Sequence, residues 1–241
     1  ISQCERKVIR LYRRNIGYYY MEVETEPIDC KVVVVGDSKC GKSALISKFT
    51  SNRFTEVYVP TNFDKRSVCV PVDEIPVKFS IWDTSGSASH DPCRHLAYPD
   101  AHVFLACFDI GDPDSLDSLV DKWYPEIRSC SSAPIVLCGC KKDLRNDIQT
   151  IGSLADIRKI PVTSEQARAI TRKVGGAKYI ETSARNSCCH FILQVVAQIG
   201  LGNALKKPPL LNLNMKVFEV TRTKEKASKL VAKKRFGCLI L

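Results

Sequence analysis

The sequence predicts an α/β fold built on a mainly parallel sheet. Short apolar runs of strand length recur along the chain, segments of helical period separate them, and polar residues suited to chemistry stand just after the runs. Residues 30–35 read as a buried parallel strand, and after a Gly-bounded loop residues 43–50 have helical spacing. Residues 77–82 are a second strand that ends at Asp83, 103–108 a third, 135–140 a fourth and 178–181 a short fifth. Helical patterns occupy residues 115–128, 164–174 and 190–199. Folds of this kind bind ligands beyond the carboxyl ends of their strands.

Composition narrows the class. The chain has 241 residues, 44% hydrophobic and 26% charged, which suits one full-sized domain with extensions. It excludes a low-complexity chain and a disulfide miniprotein, and no stretch approaches the roughly 18 apolar residues of a membrane span. The formal net charge of +10 suggests either nucleic acid or an anionic membrane as partner. Its placement favours the membrane. Residues 1–20 carry Arg6, Lys7, Arg10, Arg13 and Arg14 against Glu5, and residues 205–241 are strongly basic, so the central block is slightly acidic. Several of the twelve cysteines lie in apolar runs, as Cys107 and Cys138 do. They are expected to be reduced core residues in a reducing compartment, since Cys138-x-Cys140 and Cys188-Cys189 lack the spacing of a zinc site. No secretory signal is read at the start. Residues 1–20 precede Met21 and are taken as an extension, or as upstream sequence read through by a gene model, with no assigned function.

Gly36-Asp37-Ser38-Lys39-Cys40-Gly41-Lys42-Ser43 follows the first strand and opens a helix, fitting G-x-x-x-x-G-K-[ST]. Its glycines let backbone N–H groups point at phosphate oxygens. Lys42 suits the β- and γ-phosphates, and the Ser43 hydroxyl suits Mg²⁺. The helix N-terminus adds partial positive charge. Asp83-Thr84-Ser85-Gly86 closes the second strand as D-x-x-G. Asp83 is placed to hold a magnesium-bound water, and the Gly86 N–H to meet a γ-phosphate. Val59-Pro60-Thr61 lies between these motifs, so Thr61 is read as a second hydroxyl for the metal in a switch segment. Past the fourth strand, Cys140-Lys141-Lys142-Asp143 puts a carboxylate where guanine offers two donors and adenine none, and the Lys141 stem covers a base face. Ser183-Ala184-Arg185, after the fifth strand, offers the Ala184 N–H to guanine O6.

These motifs, in this order, make residues 29–203 resemble the Ras-superfamily small GTPases. Phe54, Tyr58-Val59-Pro60-Thr61, Tyr98-Pro99-Asp100 and the polar helical segment 147–160 look Rho-like, while Trp82-Asp83-Thr84-Ser85-Gly86-Ser87 and Gly139-Cys140-Lys141 are similar to the atypical Rnd branch. The resemblance implies a P-loop G domain with a six-stranded sheet, helices on both sides and an insert helix. It implies GTP and Mg²⁺ as cofactors, Phe54 at the guanine edge and Tyr58 over the phosphates. Effectors and regulators would bind a monomer through switch I, residues 55–66, and switch II, residues 84–98, and nucleic acid would not be a partner. It also implies antagonism of contractile Rho signalling and a role in the actin cytoskeleton.

Departures from the family pattern bear on mechanism. Active members place Gln after the D-x-x-G glycine to orient water; Ser87 stands there, beside Ala88. Rho proteins place Gly at Ser38, where a side chain crowds a partner's arginine finger. Both changes act on the transition state rather than on nucleotide binding. Cys140 replaces the Asn of the base motif, and Arg66 stands at an aromatic position of switch I. His90 and Pro92 are also unfamiliar in switch II, and His90 is read as a solvated side chain.

Residues 204–237 are expected to form a flexible polybasic tail, with a basic amphipathic helix an option over 222–235. Cys238-Leu239-Ile240-Leu241 fits C-a-a-X with Leu last, the pattern for geranylgeranylation of Cys238. A prenyl chain and a basic patch together anchor a protein to an anionic leaflet, here the cytoplasmic face of the plasma membrane. The preferred reading is a membrane-anchored binding platform that stays GTP-bound. The rivals are a cycling GTPase whose partner supplies the missing group, and a pseudo-GTPase without nucleotide. The last is disfavoured by Lys42, Ser43, Thr61, Asp83 and Asp143.

Overall fold

The computed structural model describes residues 7–14, 17–54, 59–61, 63–73, 75–186 and 190–205, with short strands at 211–212, 217–220 and 233–234. Before residue 26, after 205, and at positions 190 and 203, only the backbone is described. The chain opens with an antiparallel pair, β1 (Lys7–Arg14) and β2 (Gly17–Thr25). The α/β unit then runs β3 (Ile28–Val35), α1 (Lys42–Ser51), β4 (Phe63–Val72), β5 (Ile75–Thr84), α2 (Asp91–His95) and β6 (Val103–Asp109). It continues through α3 (Pro113–Ser118), α4 (Tyr124–Cys130), β7 (Ile135–Cys140), α5 (Ile148–Asp156), α6 (Ser164–Lys173), β8 (Lys178–Glu181) and α7 (His190–Leu201).

Six strands form the central sheet in the order β4-β5-β3-β6-β7-β8. All neighbours are parallel except β4 and β5. The sheet is buried on both faces, which is why β6 and β7 are continuous apolar runs. Alternation along β3 divides the core. Val32 and Val34 face Leu45, Ile46 and Phe49 of α1 and Ile192 and Val196 of α7. Val33 and Val35 face Leu116, Trp123, Ile127 and Ala167 on the other side.

The strands expected at 135–140 and 178–181 are β7 and β8, and the other three extend slightly beyond the expected ends. The sixth strand, β4, is an edge strand whose charged Asp64-Lys65-Arg66 conceals its alternation. It pairs with β5 across the turn at Asp73, from Phe63↔Thr84 to Val72↔Ile75. The helix expected over 115–128 is interrupted by a π-helical turn at Leu119–Trp123. Pro125 lacks the N–H that a regular helix needs at this point, and the Tyr124 N–H reaches back five residues to the Leu119 carbonyl. The insert segment is helical over α5, capped by Asp147, whose carboxylate accepts the Thr150 N–H at 2.8 Å.

The sequence assigns 1–28 to an extension and 204–237 to a flexible tail. Strand pairing joins parts of both: β9 (Leu211–Asn212) and β10 (Val217–Val220) pair with β2, and β11 (Lys233–Lys234) pairs with β10. Cys238 lies outside the described residues. Among the described cysteines, Cys30, Cys40, Cys93, Cys107, Cys130, Cys138 and Cys140 form no disulfide. Cys69 is disulfide-bonded, which departs from the expectation of reduced thiols. Among the described residues, no helix is long and apolar enough to cross a membrane.

Candidate nucleotide-binding site

A cavity of about 1030 Å³ opens where the loops after β3, β5, β7 and β8 converge. Ser38, Lys39, Gly41, Lys42 and Ser43 form one wall, and Thr84 to Ser87 another. Cys140, Lys141, Asp143, Ala184 and Arg185 form the far end. Phe54 and Thr61 close the open side, while Tyr58 lies outside the described residues.

The phosphate loop takes its shape from two glycines. Gly36 has φ +140°, and a Cβ there would stand 2.1 Å from the Cys107 carbonyl oxygen. Gly41 has φ +110° immediately before α1. No L-residue adopts these conformations at low cost. Lys42 is buried, and its Nζ donates to the Gly36 and Asp37 carbonyls at 2.8 Å each. The ammonium is therefore held at the centre of the loop. Asp37 does not face a ligand, because its carboxylate accepts the Trp123 indole N–H at 2.8 Å. The Cys40 thiol is buried against the Cys107 carbonyl.

Beyond the loop, three expected oxygen donors converge. Ser43 Oγ and Thr61 Oγ1 are 2.7 Å apart. Asp83 is almost wholly buried and hydrogen-bonds Ser43, and its Oδ1 has no hydrogen-bond partner among the described residues. Burial pushes the Asp83 carboxyl up, against the Ser43 hydrogen bond and the charge of Lys42. Two hydroxyls beside a buried, unsatisfied carboxylate fit a hard divalent cation with oxygen ligands. Gly86 packs on the phosphate loop so closely that a Cβ would lie 2.3 Å from the Ser38 nitrogen. The switch II backbone thus touches the phosphate cradle directly.

At the base end, Lys141 is left-handed at φ +53°, and its Nζ reaches Asp109 Oδ2 at 2.7 Å, so the aliphatic stem is stretched along the cavity wall. The Lys142 N–H donates to the Thr182 carbonyl, joining the two base-end loops. Ser183 is buried behind the wall and accepts the Asn186 N–H at 3.1 Å.

Several contributors are not evident from sequence. Arg94 is fully buried and bidentate on Glu126 at 2.7 and 2.8 Å. It also donates to the Ser85 and Ser87 carbonyls and to Asp91. The Tyr98 hydroxyl donates to the same Glu126 carboxylate. Burial alone would raise Glu126, but the Arg94 and Tyr98 hydrogen bonds outweigh it and hold the carboxyl below its usual value. The Arg94 guanidinium lies 4.6 Å from the Trp123 ring centre, and Trp123 bonds Asp37, so switch II is braced against the phosphate loop. The π-helical turn ends at Trp123. Asp91-x-x-Arg94 at i, i+3 spacing was the available sequence signal. His90, expected to be solvated, is half-buried on the cavity wall with Nδ1 3.0 Å from Ser89 Oγ. Arg66 lines the cavity and is held by Asp64 and Ser47.

A model of the Ras family matches residues 31–198. The GTP-binding protein rho1 of Schizosaccharomyces pombe is 46% identical over 158 residues, covering 65% of this chain and 78% of rho1. The GTP-binding protein rho5 of the same organism is 39% identical over 198 residues, 81% of this chain and 94% of rho5. The Rho-related GTP-binding protein RhoE of Homo sapiens is 44% identical over 161 residues, 66% of each chain.

Proposed function

The chain belongs to the Ras family as a Rho-type small GTPase, and from that premise we propose that it is a persistently GTP-bound, membrane-anchored platform for effector and regulator proteins in actin cytoskeleton signalling. The single observation that carries the proposal is the contrast inside the cavity between a binding apparatus retained except for Cys140 in the base motif and an altered hydrolytic one. Lys42 and the loop N–H groups hold the phosphates, and Asp143 and Ala184 read guanine. Ser43 and Thr61, with Asp83 behind them, hold Mg²⁺. When bound, the ion would neutralise charge on the β- and γ-phosphates.

The residues that would speed hydrolysis are changed. Ser87 has one carbon between backbone and hydroxyl, and that hydroxyl is engaged with Ser89 Oγ at 2.9 Å. Its backbone N–H donates to Ser85 Oγ. Ser87 is thus committed to its own turn rather than to an attacking water. Ser38 places a side chain on the wall beside the phosphates, where an arginine finger would enter. Such a finger contributes about 10³–10⁵ in rate. Losing transition-state contacts while keeping ground-state ones slows turnover without emptying the site.

Nucleotide extracted from the purified protein is the direct test. GTP is expected; GDP would favour the cycling enzyme, and no nucleotide would defeat both. Ser87→Gln combined with Ser38→Gly should restore hydrolysis. A double variant that binds GTP normally and remains inactive would remove the explanation.

Anchoring rests on Cys238-Leu239-Ile240-Leu241 and the basic residues before it, all in the sequence. Prenylation of Cys238 with the polybasic stretch supplies the two signals that stable attachment requires. Cys238→Ser should shift the protein from membrane to soluble fractions, and unchanged fractionation would refute the anchor.

A further inference from the structure

We propose that Cys107, Cys138 and Cys140 form a binding site for a soft d¹⁰ cation of the zinc class, set in the sheet beside the base end of the cavity. The three sulfurs all lie within 4.8 Å of one another. They come from two adjacent parallel strands: Cys107 of β6 is the register partner of Cys138 of β7, and Cys140 follows two residues on, along the same face. All three belong to the buried core on the α1 side. A metal about 2.3 Å from each thiolate sets its sulfurs roughly 4 Å apart, so the existing spacing needs little adjustment. Sequence spacing conceals the site because one of the three donors comes from another strand.

The chemistry favours a cation over a covalent or redox role. Hydrogen bonding to Cys138, together with burial, pushes the Cys107 thiol well above its ordinary value, and the Cys140 thiol is likewise raised by its Cys107 hydrogen bond and burial. Neutral buried thiols are poor nucleophiles. A divalent soft ion changes that balance: it displaces two thiol protons and the third cysteine stays a neutral thiol donor, so the buried cluster has no net charge, the state a low-dielectric core tolerates. Thiolate sulfur selects zinc-like and cuprous ions over the hard cation suited to the Ser43, Thr61 and Asp83 oxygens. Access is through the cavity: Cys140 is part of its wall, and Gly41 leaves open the space beside Cys140 Sγ. Cys40, on the same side, adds a further sulfur near the Cys107 carbonyl.

The test uses the full-length, nucleotide-loaded protein under a phosphine reductant, with Cys4, Cys69, Cys93, Cys130, Cys188, Cys189 and Cys238 changed to Ser so that no thiol outside the core competes. Cadmium is titrated while the thiolate-to-metal charge-transfer band, proton release and native mass are followed. One cadmium per chain is expected, with about two protons released per ion and displacement by zinc. Cys107→Val with Cys138→Val should abolish the band while nucleotide stays bound, since neither side chain lines the cavity. If that variant loses its nucleotide, Cys107→Val alone answers the same question. Survival of the band in the variant that keeps its fold, or failure of the parent to take up cadmium, overturns the proposal.

Discussion

Two knots of the same composition prop the two ends of the cavity, and they differ in what they hold. Under switch II, Arg94 is bidentate on Glu126 and Tyr98 donates to the same carboxylate. Under the base loop, Arg145 is bidentate on Glu181 at 2.7 and 2.8 Å, and Tyr179 donates to Glu181 at 2.7 Å. The Arg94 side chain is fully buried and spends its remaining donors on Asp91 and on the Ser85 and Ser87 carbonyls. The Arg145 side chain is 22% exposed and donates to the Val162 carbonyl ahead of α6, while Glu181 also accepts from Ser164. The first knot thus fastens the irregular backbone at Ser85–Ser87 on the cavity wall. The second fastens the turn after β7 and the segment ahead of α6 to the end of β8. Identical chemistry serves positioning in one place and scaffolding in the other, and burial sets how much each is worth.

Breaking the first knot should have the largest effect. Arg94→Met leaves Glu126 buried without its cation, and removing one partner of a buried pair costs about 3–5 kcal/mol. The Ser85 and Ser87 carbonyls lose their donor as well, so GTP should dissociate faster in addition to the fall in melting temperature. If melting falls and GTP release is unchanged, the knot is scaffolding only and the contrast with Arg145 disappears.

The second knot is best tested with acid. Burial would raise Glu181, but hydrogen bonds from Arg145, Ser164 and Tyr179 outweigh it and bring the carboxyl down to about 2. A depressed folded value means that the stabilisation is complete above the unfolded carboxyl's 4.5 and is lost as pH falls toward 2. Partial exposure reduces its worth to about 2 kcal/mol. Glu181→Gln should lower stability at neutral pH by that amount and flatten the loss between pH 4.5 and 2. Parallel acid curves for the two proteins would show that Glu181 carries no such linkage.

The two knots also mark where sequence reading stops. β7 is legible to the residue because a buried parallel strand has no need of polar positions, so its apolar run ends where the strand ends; β8 is legible only as a short Tyr-Ile pair between charged residues, of which Ile180 alone is buried. The phosphate loop is legible because its glycines are demanded by local backbone geometry. Ser43, Thr61 and Asp83 are legible as motifs, but their convergence depends on β4 and β5 closing around α1. The knots are not legible: Arg94 and Glu126 are 32 residues apart, and Arg145 and Glu181 are 36. Nothing local distinguishes a buried arginine from a solvated one. Trp123 is similar, since a regular helix through Pro125 would present it differently, and only the π-helical turn sets it against Asp37.

The smallest expected difference separates the two tyrosines. Tyr98 is wholly buried, stacks edge-on with Phe104 at 5.2 Å and gives its hydroxyl to Glu126. Tyr179 is half-buried, and water can replace its hydroxyl at Glu181 once the ring edge is uncovered. A hydrogen bond to a charged partner contributes about 1.5–3 kcal/mol, and the low end applies where solvent substitutes. Tyr98→Phe should therefore cost about 2 kcal/mol and Tyr179→Phe about 1 kcal/mol or less in denaturant midpoints at equal slope. Only Tyr98→Phe should also hasten GTP release, because only its carboxylate orients an arginine that reaches switch II. Equal costs would mean that burial does not separate the knots. A Tyr179→Phe variant that releases GTP as fast as Tyr98→Phe would mean that the base end is positioned as actively as the phosphate end.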